Sequence, residues 1–210
     1  MGNHEADVRT AWRSCAGDTH SSRAVLEAVL ERHREPHRQY HTIRHVAWVI
    51  RHVAALTGVE PHRDAGAIVA AACFHDAIYV PGAVDNEAAS ARLAVTELRS
   101  LGWDDVRVEH VSAMVAATAH HQAGADPDER VLLDADLAVL GADPNAYAAY
   151  VTGVRAEYAH VDDAAWRIGR AAVLEGFLER AHIFATATAQ ERFEPHARAN
   201  LAAELATLRS

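Results

Sequence analysis

One apolar segment constrains the fold of this chain more than any other feature. From Ala65 to Tyr79 nearly every side chain is apolar, whichever face of a helix it would occupy. A helix that is apolar on all sides must be buried on all sides. Ala, Leu, Arg and Glu favour helices and are abundant in the rest of the chain, and no alternating strand pattern exceeds about five residues. The sequence therefore predicts an all-α fold with this helix at its centre.

The remaining apolar residues recur at helical spacing, and the breaks between them fall at Pro, Gly and capping residues. This pattern predicts a bundle of about seven to nine helices in a single domain. We assign that domain to residues 21–208 and regard residues 1–20 as an N-terminal extension. The apolar stretches outside the central segment cover residues 24–33, 42–58, 85–102, 106–121, 131–140, 145–160, 162–181 and 190–208.

Charge and cysteine content exclude several classes of function. The chain has 210 residues, with 29 acidic against 20 basic side chains, a net charge of −9 and no run of basic residues. It therefore lacks the surface that binds nucleic acid or an anionic membrane. No stretch reaches the roughly 18 apolar residues that a membrane span needs. Two Cys cannot build a disulfide framework, so we expect a cytoplasmic protein.

The 15 His residues are the clearest sign of chemistry, because imidazole is the commonest metal ligand and acid–base group in proteins. Several of them fall in short stretches that also contain Asp. A carboxylate set in an apolar run needs a cation or another partner. The four groups in chain order are His41 with His45, His75 with Asp76, His120 with His121, and Asp134 with Asp136.

Each group also has a purely structural interpretation. His41 and His45 are four residues apart and would share one face of a helix, where they could bind a metal or stay half-exposed. A zincin motif fails there because Thr42 occupies the position of its catalytic Glu. The later groups could be a solvated helix end and a helix cap. A single metal site would explain all four groups together.

The ordered set of His, His-Asp, His-His and Asp resembles the signature of the HD-domain superfamily of metal-dependent phosphohydrolases. In that superfamily the motif residues lie on separate helices of an all-α bundle, so the resemblance implies an HD-domain helical bundle. The resemblance covers about residues 20–208. Several longer runs are similar to a bacterial subfamily of predicted HD phosphohydrolases with no assigned substrate. Those runs are residues 35–42, 74–79, 85–91, 133–137 and 194–201.

The resemblance implies that His45, His75 and Asp76 bind a divalent metal together with one further Asp. Asp136 fits the Ala-Asp pattern of that last ligand, and Asp134 is the alternative. Because the two would point to roughly opposite sides of a helix, the other one would instead hydrogen-bond a ligand His. Two His and two carboxylates leave positions for water, as in catalytic metal sites. The set suits Mn, Fe, Zn or Ni, and Mg less well.

The resemblance also implies the catalytic groups. Residues 40–45 are similar to the Tyr-His-Asn … His stretch of cyclic-nucleotide phosphodiesterases, whose first His is a general acid. By that analogy His41 protonates the leaving oxygen. Asp76 would act as base on a metal-activated water. Glu87 is a second base or a substrate contact, or only a first-turn acid that complements the helix dipole.

His120 and His121 are assigned to a second metal or, for His121, to contact with the substrate phosphate. Adjacent residues on a helix differ by about 100°, so both could reach one cluster only near a frayed helix end. Arg38 and Arg44 flank the first motif and could clamp a phosphate, although most Arg side chains are simply solvated.

We therefore expect an enzyme, a metal-dependent phosphohydrolase that cleaves a phosphoester in a small anionic phosphorylated metabolite or nucleotide. One alternative is a diiron oxygenase on the same fold, which would need His120, His121 and Asp134 all as ligands. Another is a nucleotide-binding HD module without turnover, although every motif position is filled. We expect no nucleic-acid or membrane partner, and the amphipathic C-terminal helix is compatible with a homodimer.

Overall fold

Residues 4–210 are described by the structure, a computed structural model. They form ten α-helices and one short 3₁₀ helix, Ala138–Gly141, with no β-strand among them. The all-α prediction is confirmed. The α-helices are α1 (His4–Ala16), α2 (His20–Arg32), α3 (Ile43–Thr57), α4 (Ala65–Phe74), α5 (Asn86–Ser100), α6 (Asp105–Ala117), α7 (Pro127–Leu137), α8 (Pro144–Glu157), α9 (Asp163–Leu178) and α10 (Ala187–Arg209).

The apolar helix α4 lies at the centre of the bundle, as predicted. It packs against α1, α3, α5, α6 and α7. Its side chains from Ala67 to Phe74 are buried, except for the partly exposed Val69. Asp64 caps the helix by accepting a hydrogen bond from the Ala67 N–H at 2.9 Å, a role for which Asp is preferred. The C-terminal end of α4 therefore lies inside the bundle.

With the N-terminal helix α1, the described residues form ten α-helices, one more than the seven to nine that the sequence predicted. Val8 and Trp12 are buried, and both belong to the hydrophobic core. The indole N–H of Trp12 donates to Ser22 Oγ at 2.9 Å, and its ring meets Phe74 edge-on with centroids 6.0 Å apart. Apolar residues at helical spacing in this segment thus add to the same core as α4.

The predicted helix over residues 65–79 ends earlier than expected, at Phe74. Arg38 donates to the carbonyl oxygens of Asp76 at 2.7 Å and Ala77 at 3.1 Å. Those carbonyls therefore have partners outside a helix, and the chain turns at this point. The turn releases the residues after Phe74 from helical geometry, so that their side chains point into the bundle.

The predicted helix over residues 106–121 is also shorter, because α6 ends at Ala117. His121 has φ +46°, in the left-handed region that a helix cannot continue. Arg180 holds this turn by donating to the carbonyl oxygens of His121 at 2.5 Å and His120 at 3.1 Å. The two adjacent histidines therefore leave the helix in different directions.

Within residues 4–210, no helix combines the length and the apolar character needed to cross a membrane. The longest helix, α10, spans 23 residues and contains acidic and basic side chains along its length. Both cysteines are free thiols, with Cys73 buried in α4 and Cys15 partly buried in α1.

Candidate metal centre

A cluster of His and Asp side chains lies where α3, α4 and α7 meet. His45, His75 and Asp76 bring ligand atoms within 4.8 Å of one another. The two Nε2 atoms of the histidines are 3.0 Å apart, and Asp76 Oδ2 lies 3.3 Å and 3.0 Å from them. Asp136 Oδ1 lies 3.2 Å from His45 Nε2 and 3.7 Å from His75 Nε2. Four potential ligands therefore meet at one point.

Each member of the cluster is placed by the end of a helix. Thr42 is the N-cap residue of α3, so His45 lies in the first turn. His75 is the C-cap residue of α4, and Asp76 follows it in the turn. Asp136 lies in the last turn of α7. Because α3, α4 and α7 pack on one another, these ends converge.

The donor set fits a divalent metal. His75 Nδ1 donates to the carbonyl oxygen of Ala72 at 3.0 Å, which turns its Nε2 toward the cluster. Two imidazole lone pairs 3.0 Å apart repel each other unless a cation or a proton lies between them. Two carboxylates balance the charge of a dication, and two imidazoles complete a set of four potential ligands. These side chains could therefore hold a metal ion.

The same groups shift one another's protonation. Burial alone would lower the pKa of His75, but the charges of Asp76 and Asp136 raise it well above its usual value. Burial alone would raise the pKa of Asp76, but the charge of His75 holds it well below its usual range. The charge of His75 and a hydrogen bond from His121 likewise hold the pKa of Asp136 well below its usual range, against the effect of burial. Such strongly shifted groups beside a cavity are typical of functional sites.

His41 lies at the edge of the cluster, in the loop before α3 rather than on a shared helix face with His45. Its Nε2 is 4.0 Å from Asp76 Oδ2. Its Nδ1 is 2.7 Å from Glu157 Oε2, the last residue of α8. Since a carboxylate only accepts, Nδ1 carries a proton and donates it to Glu157. The ring is therefore held with Nε2 toward Asp76.

Glu157 is a site residue that the sequence analysis missed. Its buried carboxylate accepts from the backbone N–H groups of Gln39, Tyr40 and His41 at 2.8, 2.7 and 2.9 Å. It also accepts from the Tyr79 hydroxyl at 2.9 Å. The one sequence signal that could have identified it is its position at a helix C-terminus, where the macrodipole disfavours an acid. The contacts themselves join residues more than 70 positions apart.

The Glu157 network predicts acid sensitivity. Burial would raise the pKa of this carboxyl, but hydrogen bonds from His41 and the backbone lower it from 4.5 to about 2. A depressed folded-state pKa adds stability that is present above pH 4.5 and is lost as the pH falls toward 2. We expect the network to lose about 2 kcal/mol of stability between pH 7 and pH ~3. The free energy of unfolding, measured by urea denaturation at both pH values, should fall by that much less in Glu157→Gln than in wild type. Equal losses in the two proteins would contradict this.

His121 reaches the cluster through Asp136. Its Nε2 lies 2.7 Å from Asp136 Oδ2, the oxygen not used toward His45. The left-handed turn held by Arg180 gives His121 this direction. His120, its neighbour, is exposed and does not line the cavity beside the cluster. The two histidines therefore do not act together, as the turn geometry separates them.

Asp134 lies outside the cluster, which corrects its assignment as a candidate metal ligand. Its Oδ1 accepts from the Ala185 N–H and its Oδ2 from the Thr186 N–H, both at 2.7 Å. Burial raises the pKa of Asp134, with the two N–H bonds acting in the opposite direction. Asp134 and Asp136 point to opposite sides of α7, as expected, but Asp134 supports the loop before α10 rather than a ligand His.

Two of the other candidates occupy positions that do not fit the predicted roles. Arg38 is fully buried and donates to the carbonyl oxygens of His41, Asp76 and Ala77, so it braces the site and does not face a phosphate. Arg44 is exposed and lines a small pocket that also touches His45, but it does not line the larger cavity beside the cluster.

Glu87 is half-buried in the first turn of α5 and lines the cavity beside the cluster. That position allows the substrate contact that we predicted for it. Its first-turn position also complements the helix dipole.

A second group that could hold a metal consists of His110, Asp126 and Asp128. Asp128 is completely buried and already accepts from the backbone N–H groups of Arg63 and Asp64. Its Oδ2 also lies 3.0 Å from His110 Nε2, and Arg63 pairs with Asp126 at 2.9 Å. These bonds satisfy the group internally, so its geometry is that of a structural joint between α6, α7 and the loop before α4.

Comparisons with protein-family models, with curated proteins and with solved structures found no match for this chain. The described residues form an all-α protein whose buried His–Asp cluster could hold a metal ion. Its function must therefore be inferred from the chemistry of that cluster and of the cavity beside it.

Proposed function

We propose that this protein is a metal-dependent phosphohydrolase of the HD type, acting on a small phosphorylated metabolite or nucleotide. The observation that carries the proposal is the convergence of His45, His75, Asp76 and Asp136 on one point. They occur in the chain order of the HD signature, and a cavity opens directly beside them. His41 adds an acid–base group at the same edge.

In this proposal His45, His75, Asp76 and Asp136 hold one divalent cation, with Mn, Fe, Zn or Ni the metals that suit them. When bound, such a cation supplies Lewis-acid charge to a phosphoryl oxygen and lowers the pKa of a water molecule. The two carboxylates balance its charge. The bond from His75 Nδ1 to Ala72 keeps that ring in the orientation that binding needs.

The chain's own groups handle the protons. The Asp76 carboxylate accepts the proton of the attacking water, since this residue lies at the cluster and lines the cavity. His41 holds a proton at Nε2 and gives it to the leaving oxygen of the ester. Glu157 supports this step, because its bond to His41 Nδ1 fixes the orientation of the ring. His41 Nε2 lies 4.0 Å from Asp76 Oδ2, so the proposed acid and base stand beside the same reacting groups.

The oxygenase alternative requires three further ligands, and two of them are in unsuitable positions. Asp134 is committed to the backbone N–H groups of Ala185 and Thr186. His120 is exposed in the turn after α6. Only His121 lies at the cluster, where it contacts Asp136. These positions favour the hydrolase proposal.

The test is metal-dependent turnover. The purified protein is stripped with EDTA, reloaded separately with Mn, Ni, Zn or Fe, and assayed on a panel of phosphomonoesters and phosphodiesters. We expect stripping to lower kcat/KM by about a thousandfold and one of the metals to restore it, because the metal supplies several kcal/mol of transition-state stabilisation. His75→Ala should stay inactive after reloading.

Two results would contradict the proposal. Turnover that survives EDTA would exclude the role of the metal, and identical behaviour of wild type and His75→Ala would exclude the cluster. Elemental analysis of anaerobically purified protein separates the alternatives. One metal per chain fits the hydrolase, and two irons per chain without phosphoester turnover fit the oxygenase.

A further inference from the structure

A cavity of about 570 Å³ opens beside the candidate metal centre. His41, Asp76, His121 and Asp136 line it where it meets the centre. Much of the remaining wall comes from α8, the loop after α8, and α9. This volume lies in the range of small-molecule sites. The cavity therefore has room for a substrate group considerably larger than a phosphate.

The wall formed by α8, its following loop and α9 is apolar and rich in aromatic rings. The rings of Tyr158 and Trp166 lie with centroids 5.5 Å apart. A flat apolar group can pack against such rings, which interact by stacking as well as by burial. The main apolar members of this wall are Val154, Tyr158, Val161, Trp166, Val173 and Phe177.

The aromatic part of the wall is braced by Arg155. Its guanidinium lies over the Trp166 ring, 5.2 Å from the centroid. It donates to the carbonyl oxygens of Tyr158 at 2.7 Å and Val161 at 3.1 Å, and to the Asp163 carboxylate at 2.7 Å. The rings are therefore held in place before a ligand arrives, which lowers the entropy cost of binding.

Positive charge is scarce in this cavity. Apart from two histidines, the one basic side chain among its described lining residues is Arg170. Its Nε and Nη2 donate to the Glu204 carboxylate at 2.8 and 3.1 Å, and its Nη1 donates to the Tyr150 hydroxyl at 3.0 Å. Arg170 is thus already paired, while Glu87 adds negative charge to the wall. Among the described lining residues there is therefore no free cation to receive a second anionic group.

We propose that the cavity binds the leaving group of the substrate, and that this group is an uncharged, apolar alcohol or phenol carrying a ring. The inference rests on the proposed phosphoester hydrolysis, which places the one phosphate at the metal centre. A sugar bisphosphate or a nucleoside polyphosphate would bury a further negative charge beside Glu87 and an apolar wall, at a high desolvation cost. A ring instead meets Tyr158 and Trp166.

Two glycines of α9 give a matched pair of variants. A Cβ added at Gly169 or at Gly176 would meet nothing within 4 Å, so a larger side chain can start from either position without a clash at its Cβ. Both positions are helical, and leucine is a better helix former than glycine. Gly169 lines the cavity, whereas Gly176 lines a neighbouring groove. Gly169→Leu therefore narrows the cavity, and Gly176→Leu is its control.

The first measurement is the binding of 1-naphthol, a neutral ring probe, by isothermal titration calorimetry on the full chain. We expect wild type and Gly176→Leu to bind it equally and Gly169→Leu to bind it about tenfold more weakly. Absence of binding to wild type, or equal binding by Gly169→Leu, would overturn the inference. Neither result depends on catalysis.

The second measurement is kcat/KM on 1-naphthyl phosphate, phenyl phosphate and fructose 1,6-bisphosphate, with the protein loaded in turn with Mn, Ni, Zn and Fe and compared at the most active metal. We expect the naphthyl ester to exceed the phenyl ester about tenfold and the bisphosphate about a hundredfold. If esters are cleaved but the bisphosphate is the best substrate, the inference fails and the proposed function stands. If 1-naphthol binds as expected but no ester is cleaved, the proposed function fails and the ligand class of the cavity stands.

Discussion

Replacing Glu157 with alanine is expected to lower the free energy of unfolding by about 4 kcal/mol. The variant leaves the N–H groups of Gln39, Tyr40 and His41 without their common acceptor. It also removes the acceptor of His41 Nδ1 and of the Tyr79 hydroxyl. Each unsatisfied buried donor costs about 1–3 kcal/mol, and water reaching the space reduces the sum. Urea denaturation at pH 7 gives the difference.

A surface variant provides the control for this measurement. Glu175 pairs with Arg209 on the outside of the bundle, with both side chains well exposed. Exposed ion pairs contribute about 0–1 kcal/mol, so Glu175→Ala should change stability by no more than that. A loss in Glu157→Ala similar to that in Glu175→Ala would mean that the five hydrogen bonds are replaced by water. The loop before α3 would then need no carboxylate to hold it.

Local patterns predicted the central part of the fold. The segment from Ala65 is apolar on every side, and burial follows from composition alone, so α4 could be placed at the centre. Its C-terminal end could not be predicted in the same way. Beyond Phe74, Arg38 binds the carbonyl oxygens of Asp76 and Ala77 from 38 and 39 positions away in the chain and holds the turn there. Helix ends set by such distant side chains leave no mark in local periodicity.

The candidate site was likewise predictable only in part. The order of His45, His75, Asp76 and Asp136 is a property of the sequence, and the structure brings all four together. Glu157 could not be found, because its partners are 78 to 118 positions away in the chain. Sequence periodicity sets the two sides of a helix, but only tertiary contacts decide which side faces the cluster.

The choice between Asp134 and Asp136 depended on such contacts. Both are aspartates in the same apolar run of α7, two residues apart. The loop at Ala185 and Thr186 occupies one of them, and the His cluster occupies the other. These two aspartates therefore form a matched pair for an experiment that separates structure from chemistry.

Asp136→Asn is expected to lower kcat/KM on phosphoesters by about a thousandfold, because it removes one proposed metal ligand and its charge. The same variant should lose stabilisation by metal. At a Mn concentration of about 100 times Kd, bound metal adds about 2.7 kcal/mol, which raises Tm by roughly 5–10 °C in a chain of this size. Thermal denaturation with and without Mn should show that rise in wild type and not in Asp136→Asn.

Asp134→Asn should give the opposite pattern. Its amide keeps one acceptor for the N–H groups of Ala185 and Thr186 but turns an NH₂ group toward the other. We expect the free energy of unfolding to fall by about 2 kcal/mol, because one buried N–H loses its acceptor. The rise in Tm on adding Mn and the value of kcat/KM should both stay as in wild type. Loss of the Mn response in Asp134→Asn, or its retention in Asp136→Asn, would show that the metal is not held by the face of α7 that carries Asp136. Each variant is the control for the other, because both replace an Asp of α7 by Asn and so remove the same charge from the same helix.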